Sequence, residues 1–141
     1  MASRTASFRA GDERRIDVKP FYRDGAYLVV VFEIANLGPD NGPNEVDSYM
    51  GEAGSHGRFG AFSVTDPASK TTYRAVRIGP QPSGATAPLN LKFVDPGWAV
   101  FRTEPGTSNR GFFYVPAPPP DVRAVTFDAG PFGRIPNVPI R

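Results

Sequence analysis

The chain has 141 residues, a formal net charge of +2, one histidine and no cysteine. That length suits one domain with a real core, and the missing thiols exclude disulfides and thiolate metal sites. The sixteen cations are thirteen Arg and three Lys, scattered along the chain with Arg14-Arg15 as the only adjacent arginine pair. Phosphate binding needs clustered cations that displace counterions, so no nucleic-acid partner is expected.

No run approaches the ~18 apolar residues of a membrane helix, and the opening residues carry no apolar signal-peptide core. Gly and Pro together exceed a fifth of the chain. The small net charge and the eleven Phe and five Tyr are not those of a disordered segment. Gly and Pro are therefore read as punctuation between strands, which branched and aromatic residues favour.

In chain order, residues 1–13 are small, polar and charged, and read as a flexible lead-in to a single domain over 14–141. Arg14 to Tyr22 alternates, with Ile16, Val18 and Pro20 on one face and Arg15, Asp17, Lys19 and Phe21 on the other. This period of two predicts a half-buried strand. Pro20 cannot donate to a ladder, so the strand lies at an edge or bends there. The Asp24-Gly25 turn signal leads to the strongest strand pattern in the chain. Leu28, Val30, Phe32 and Ile34 share one face, while Tyr27, Val29 and Val31 share the other. Apolar residues on both faces predict a central strand covered at least partly on each side.

Residues 37–58 form the longest stretch without a period, with only a brief edge strand expected over Glu45 to Met50. Loops beyond ~12–15 residues are uncommon in compact domains and are often functional. Strand patterns then recur over Phe59 to Thr65, Thr71 to Ile78, Leu89 to Phe93 and Trp98 to Thr103. Gly111 to Val115, Val122 to Asp128 and Ile135 to Ile140 complete them, with Val125 and Phe127 facing inward. Turn signals at Asp66-Pro67, Gly79-Pro80, Asp95-Pro96-Gly97 and Glu104-Pro105-Gly106 separate these runs. The proline run Pro116 to Pro120 is expected to stiffen a connection between two strands. Short strands at this spacing predict an all-β, immunoglobulin-like antiparallel β-sandwich of about seven to nine strands.

Two stretches resemble a known family. The segment YLVVVFEIANLG over residues 27–38 resembles the strand and N-x-G turn of immunoglobulin-like accessory domains in bacterial envelope proteins. Asp66 and Tyr73 occupy places comparable to the hairpin that follows there. Tyr114 to Phe127 and Pro136 to Ile140 resemble domains that accompany OmpA-like peptidoglycan-binding modules in actinobacteria. The likeness covers most of Arg14 to Ile140 and implies an Ig-like fold in an extracytoplasmic, cell-envelope setting. It supplies no catalytic or ligand residues, and no OmpA-like module is present in this chain.

Catalysis finds little support. A Ser/His/Asp set needs a histidine base, and His56 sits between Ser55 and Gly57 in a glycine-rich loop. Gly-x-Ser-x-Gly and phosphate-loop motifs are absent, and no enzyme activity or cofactor is expected. Glu33 interrupts an apolar run and reads as a strand-end carboxylate paired with an arginine. The long loop offers the candidate contact residues Asp40, Asn41, Asn44, Glu45, Asp47 and Tyr49. The oxygens of Asp40, Asn41, Asn44, Glu45, Asp47 and Glu52 match no calcium loop and fit turn formation, so no metal is assigned. Trp98 alternates with Val100 and reads as packing between sheets.

The expected function is a non-catalytic structural or protein-binding module whose partner is another envelope protein. The alternative is a carbohydrate-binding module that uses surface aromatics.

Overall fold

The computed structural model describes residues 2–8, 12–39, 49, 59–78, 92–93 and 104–141, with 77–78 and 92–93 as backbone only. Eleven strand segments occur among them. They are β1 (Ala2–Ser7), β2 (Glu13–Val18), β3 (Tyr22–Asp24), β4 (Tyr27–Gly38), β5 (Phe62–Asp66), β6 (Thr71–Tyr73), β7 (Arg77–Ile78), β8 (Lys92–Phe93), β9 (Ser108–Pro116), β10 (Ala124–Ala129) and β11 (Arg134–Pro139). The fold is an antiparallel sandwich, as expected. The segment count exceeds the expected seven to nine because β3, β6, β7 and β8 are only two or three residues long.

In the first sheet β4 is central. β9 pairs along one edge from Tyr27 to Ala35. The opposite edge is shared by β3, against Tyr27 to Val29, and β2, against Phe32 to Gly38. β1 pairs outside β2. The second sheet runs β11-β10-β5-β6, and β7 pairs with β8 separately.

The expected bend at Pro20 divides β2 from β3. Lys19 N–H still donates to Val31 O at 3.1 Å, but Phe21 N–H donates across to Pro139 O at 3.0 Å in the other sheet. Phe21 therefore turns inward, and its buried ring meets Phe127 edge-on at 5.4 Å. The alternation that puts Phe21 opposite Ile16 and Val18 fails because this bend resets the face.

The lead-in is corrected too. Residues 2–7 are β1, in continuous register from Ala2↔Val18 to Ser7↔Glu13. An outermost strand gains its ladder from backbone groups, so the small polar sequence ASRTAS shows no apolar alternation that would announce it.

The core lies between the inner faces. Leu28, Val30, Phe32 and Ile34 of β4 are all buried, as are Phe113 and Val115 of β9. Phe62, Val64, Val125 and Phe127 meet them from the second sheet. Phe32 is the hub, with ring centroids of Phe59, Phe62, Phe113 and Phe127 between 5.1 and 6.3 Å away. Directly opposite Phe32 in the ladder is Gly111. A Cβ there would come within 2.3 Å of Phe32 Cε2, so the ring occupies the space that only glycine leaves open.

At the end of the core nearest β1, Arg14 Nη1 pairs with Asp12 Oδ1 at 2.8 Å, both side chains being almost fully buried. Arg14 lies opposite Asn36 in register, and Asn36 Oδ1 accepts Gly38 N–H at 2.8 Å.

Two stability outcomes follow from this packing. Gly111→Ala should cost about 1–3 kcal/mol in urea unfolding through overpacking, and less when combined with Phe32→Leu, since neighbours that share space do not add. Arg14→Met should cost about 3–5 kcal/mol by leaving the Asp12 carboxylate without its guanidinium. The Asp12→Leu/Arg14→Met double variant should recover much of that loss.

Candidate functional site

The outer face of the first sheet is built by register. Residues directly opposite in an antiparallel ladder project from the same face, and Val29 lies between Tyr22 of β3 and Tyr114 of β9. Val31 faces Phe112, and Tyr27 faces Asp24 on one side and Pro116 on the other. Further along, Glu33 lies between Asp17 and Arg110, and Asp17 faces Ser3 of β1. One face thus has an aromatic half and a charged half.

The charged half is internally paired. Arg15 Nε reaches both Asp17 oxygens at 3.1 Å, and Ser3 Oγ donates to Asp17 Oδ1 at 2.6 Å. Lys19 Nζ is 4.0 Å from Glu33 Oε2. Glu33 therefore sits mid-strand beside a lysine, where the sequence suggested a strand-end carboxylate with an arginine. Such half-exposed pairs contribute little to stability.

The aromatic half is less self-contained. Tyr22 and Tyr27 are 44% and 43% exposed, large values for apolar rings in a folded domain. Tyr27 and Tyr114 have ring centroids 6.0 Å apart at 59°, and Phe112 and Tyr114 are 6.3 Å apart at 68°. Val29 beneath them is only 2% exposed. The Tyr114 hydroxyl donates to Asp24 Oδ2 at 3.2 Å. Partial burial raises the Tyr114 pKa above the ordinary tyrosine value, and the Asp24 hydrogen bond, the Asp24 charge and nearby Tyr22 push the same way.

The β3–β4 hairpin that carries this patch is anchored from behind. Gly25 takes φ +58° in its two-residue turn, a conformation glycine adopts without strain. Arg23, on the opposite face from Tyr22 and Asp24, donates to Pro118 O at 2.7 Å, Pro119 O at 2.9 Å and Val122 O at 3.0 Å. This clamp braces the proline run, which connects β9 to β10 between two strands as the sequence suggested.

Among the loop candidates, Asp40, Asn41, Asn44, Glu45 and Asp47 lie outside the described residues, as do His56 and Trp98. Tyr49 is described, and it belongs to the core. It is 2% exposed, stacks on Phe132 at 6.0 Å and 19°, and meets Phe62 at 5.8 Å. Its ring is consumed by packing and is withdrawn from any contact surface. Sequence reasoning missed Tyr22 and Tyr114 as site residues. The outward parity of Tyr27 was visible, but the strands that flank it were not.

A groove of about 450 Å³ on the side of the sandwich is lined by Ala2, Val18, Pro20, Pro136 and Pro139 among others, with Arg141 the one charged lining residue among the described residues. No helix among the described residues is long and apolar enough to cross a membrane.

The pH response of Tyr114 has a definite sign. Below the ordinary tyrosine pKa of about 10, folded and unfolded chains are both protonated and its contribution to stability is complete. Above it the unfolded chain loses the proton first, so stability falls as pH rises and the contribution is gone beyond the raised native value. Subtracting the phenolate titration of Tyr114→Phe from that of the parent should leave a late-titrating tyrosine. In Asp24→Asn it should titrate earlier, since the hydrogen bond to a carboxylate and its charge are both removed.

Compared with protein-family models, curated proteins and solved structures, the chain matches none of them significantly.

Proposed function

We propose that the chain is a non-catalytic, Ig-like protein-binding module of a bacterial cell-envelope protein, and that it recognises its partner through the outer face of the first sheet. The observation that carries this reading is the pair of half-exposed tyrosines, Tyr22 and Tyr27, beside an ion-paired surface. Tyrosine-rich centres with polar rims are the usual anatomy of protein interfaces. A rigid sheet presents these rings at little entropic cost, because a tyrosine has only two side-chain torsions to fix.

The envelope setting and the Ig-like assignment rest on the resemblance over Arg14 to Ile140. The carbohydrate alternative would use aromatic faces as a flat platform. The 59° tilt between Tyr27 and Tyr114 favours a contoured protein surface over a planar sugar.

Tyr22→Ser/Tyr27→Ser tests the reading. The double variant should melt within a few degrees of the parent, because changes at exposed positions are usually small. It should lose the envelope protein that the parent retains in an affinity experiment. Equal retention by parent and variant would remove this face as the binding surface, and glycan binding lost in the variant would favour the carbohydrate alternative.

A further inference from the structure

We propose that the aromatic half of this face receives an arginine side chain of the partner protein, its guanidinium stacked on the tyrosines and paired with Asp24. This deepens the protein-binding reading and rests on it.

Charge favours a cation beside Asp24. Asp17 and Glu33 on the same face each have a cation of the chain beside them. Asp24 has none among the described residues, and its one polar contact there is the Tyr114 hydroxyl at Oδ2. The cation nearest in sequence, Arg23, projects to the other face and donates to three carbonyls of the β9–β10 crossover. The fold thus removes the neighbouring arginine from Asp24 and leaves the carboxylate at the edge of an aromatic surface.

Shape favours a planar cation. Tyr22 and Tyr114 stand on strands either side of β4, about 10 Å apart at the backbone, with Val29 as the floor between them. Tyr27 closes the row next to Asp24. A guanidinium is planar, lies flat on aromatic faces and pairs with a carboxylate through a rigid fork. It is also weakly hydrated, so it leaves water more readily than an ammonium does. Lysine shares the charge and lacks the plane. The cation–π attraction to a tyrosine face and the charge-assisted bond to Asp24 then act on one group.

The test is a heteronuclear NMR titration of this chain with acetyl-Gly-Arg-Gly-amide, its lysine counterpart and acetyl-Gly-Gly-Gly-amide. The arginine peptide should give saturable shifts centred on Tyr22, Tyr27 and Val29, with weaker binding of the lysine peptide and none of the glycine peptide. Asp24→Asn should weaken the arginine peptide about tenfold, the loss expected for a hydrogen bond to a charged group. Tyr22→Ala, at an exposed position, should also weaken it while leaving the amide spectrum dispersed.

Equal binding in Asp24→Asn, a lysine peptide as good as arginine, or shifts centred on Asp17 and Glu33 would overturn the proposal. Concentration-dependent shifts at the tyrosines without peptide would assign the site to a second copy of the chain, and would also overturn it. If the arginine assignment fails while Tyr22→Ser/Tyr27→Ser still abolishes partner retention, the protein-binding face stands without it.

Discussion

The contact between Phe32 and Gly111 is the constraint on which the first sheet depends. The two residues face each other across β4 and β9, and the ring occupies the volume of the missing side chain. Around it gather Phe59, Phe62, Phe113 and Phe127. Sliding β9 by one residue would place Phe112 or Arg110 opposite Phe32 and turn each β9 side chain to the other face. Buried aromatic packing thereby fixes the register of the two longest strands.

That register also assembles the outer surface. Tyr114 stands beside Val29, across β4 from Tyr22, because Phe113, one residue earlier, is held inside. Glu33 meets Arg110 by the same count of residues. The division into aromatic and charged halves is thus a consequence of the core on the reverse side of the same strands. The hairpin turn at Gly25 and the Arg23 clamp brace the end of the sheet where the tyrosines lie. The patch sits on rigid elements, which suits recognition by shape.

Much of this was legible along the chain. The alternation of Leu28, Val30, Phe32 and Ile34 identified the central strand, because a strand with neighbours on both edges and cover on a face must carry that pattern. Val125 and Phe127 were assigned inward for the same reason, and both are buried. Segments whose pairing is carried by backbone alone were hidden. β1 has no apolar alternation, and Phe21 changes face where Pro20 ends the β2 ladder. Tyr49 read as a loop residue because its neighbours are polar, whereas its ring stacks on Phe132, a residue distant in sequence. The candidate surface was hidden for a related reason. Tyr22, Tyr27 and Tyr114 come from three strands, and only the register of those strands brings them together.

The contrast between the two halves of the outer face has an energetic meaning. Arg15 with Asp17, and Lys19 with Glu33, keep their charges solvated and add little to stability. They nonetheless make that half a poor place for a partner, which would have to strip water from groups already satisfied. The tyrosines present the opposite balance. Their rings cover Val29 and still expose apolar area, and the hydroxyl of Tyr114 is committed to Asp24. Covering them would release water from apolar surface at little polar cost. A sheet that needed only to be soluble could carry threonine or lysine at Tyr22 and Tyr27 without disturbing the core behind. The exposed aromatic surface is thus the feature on which the proposed protein-binding role rests.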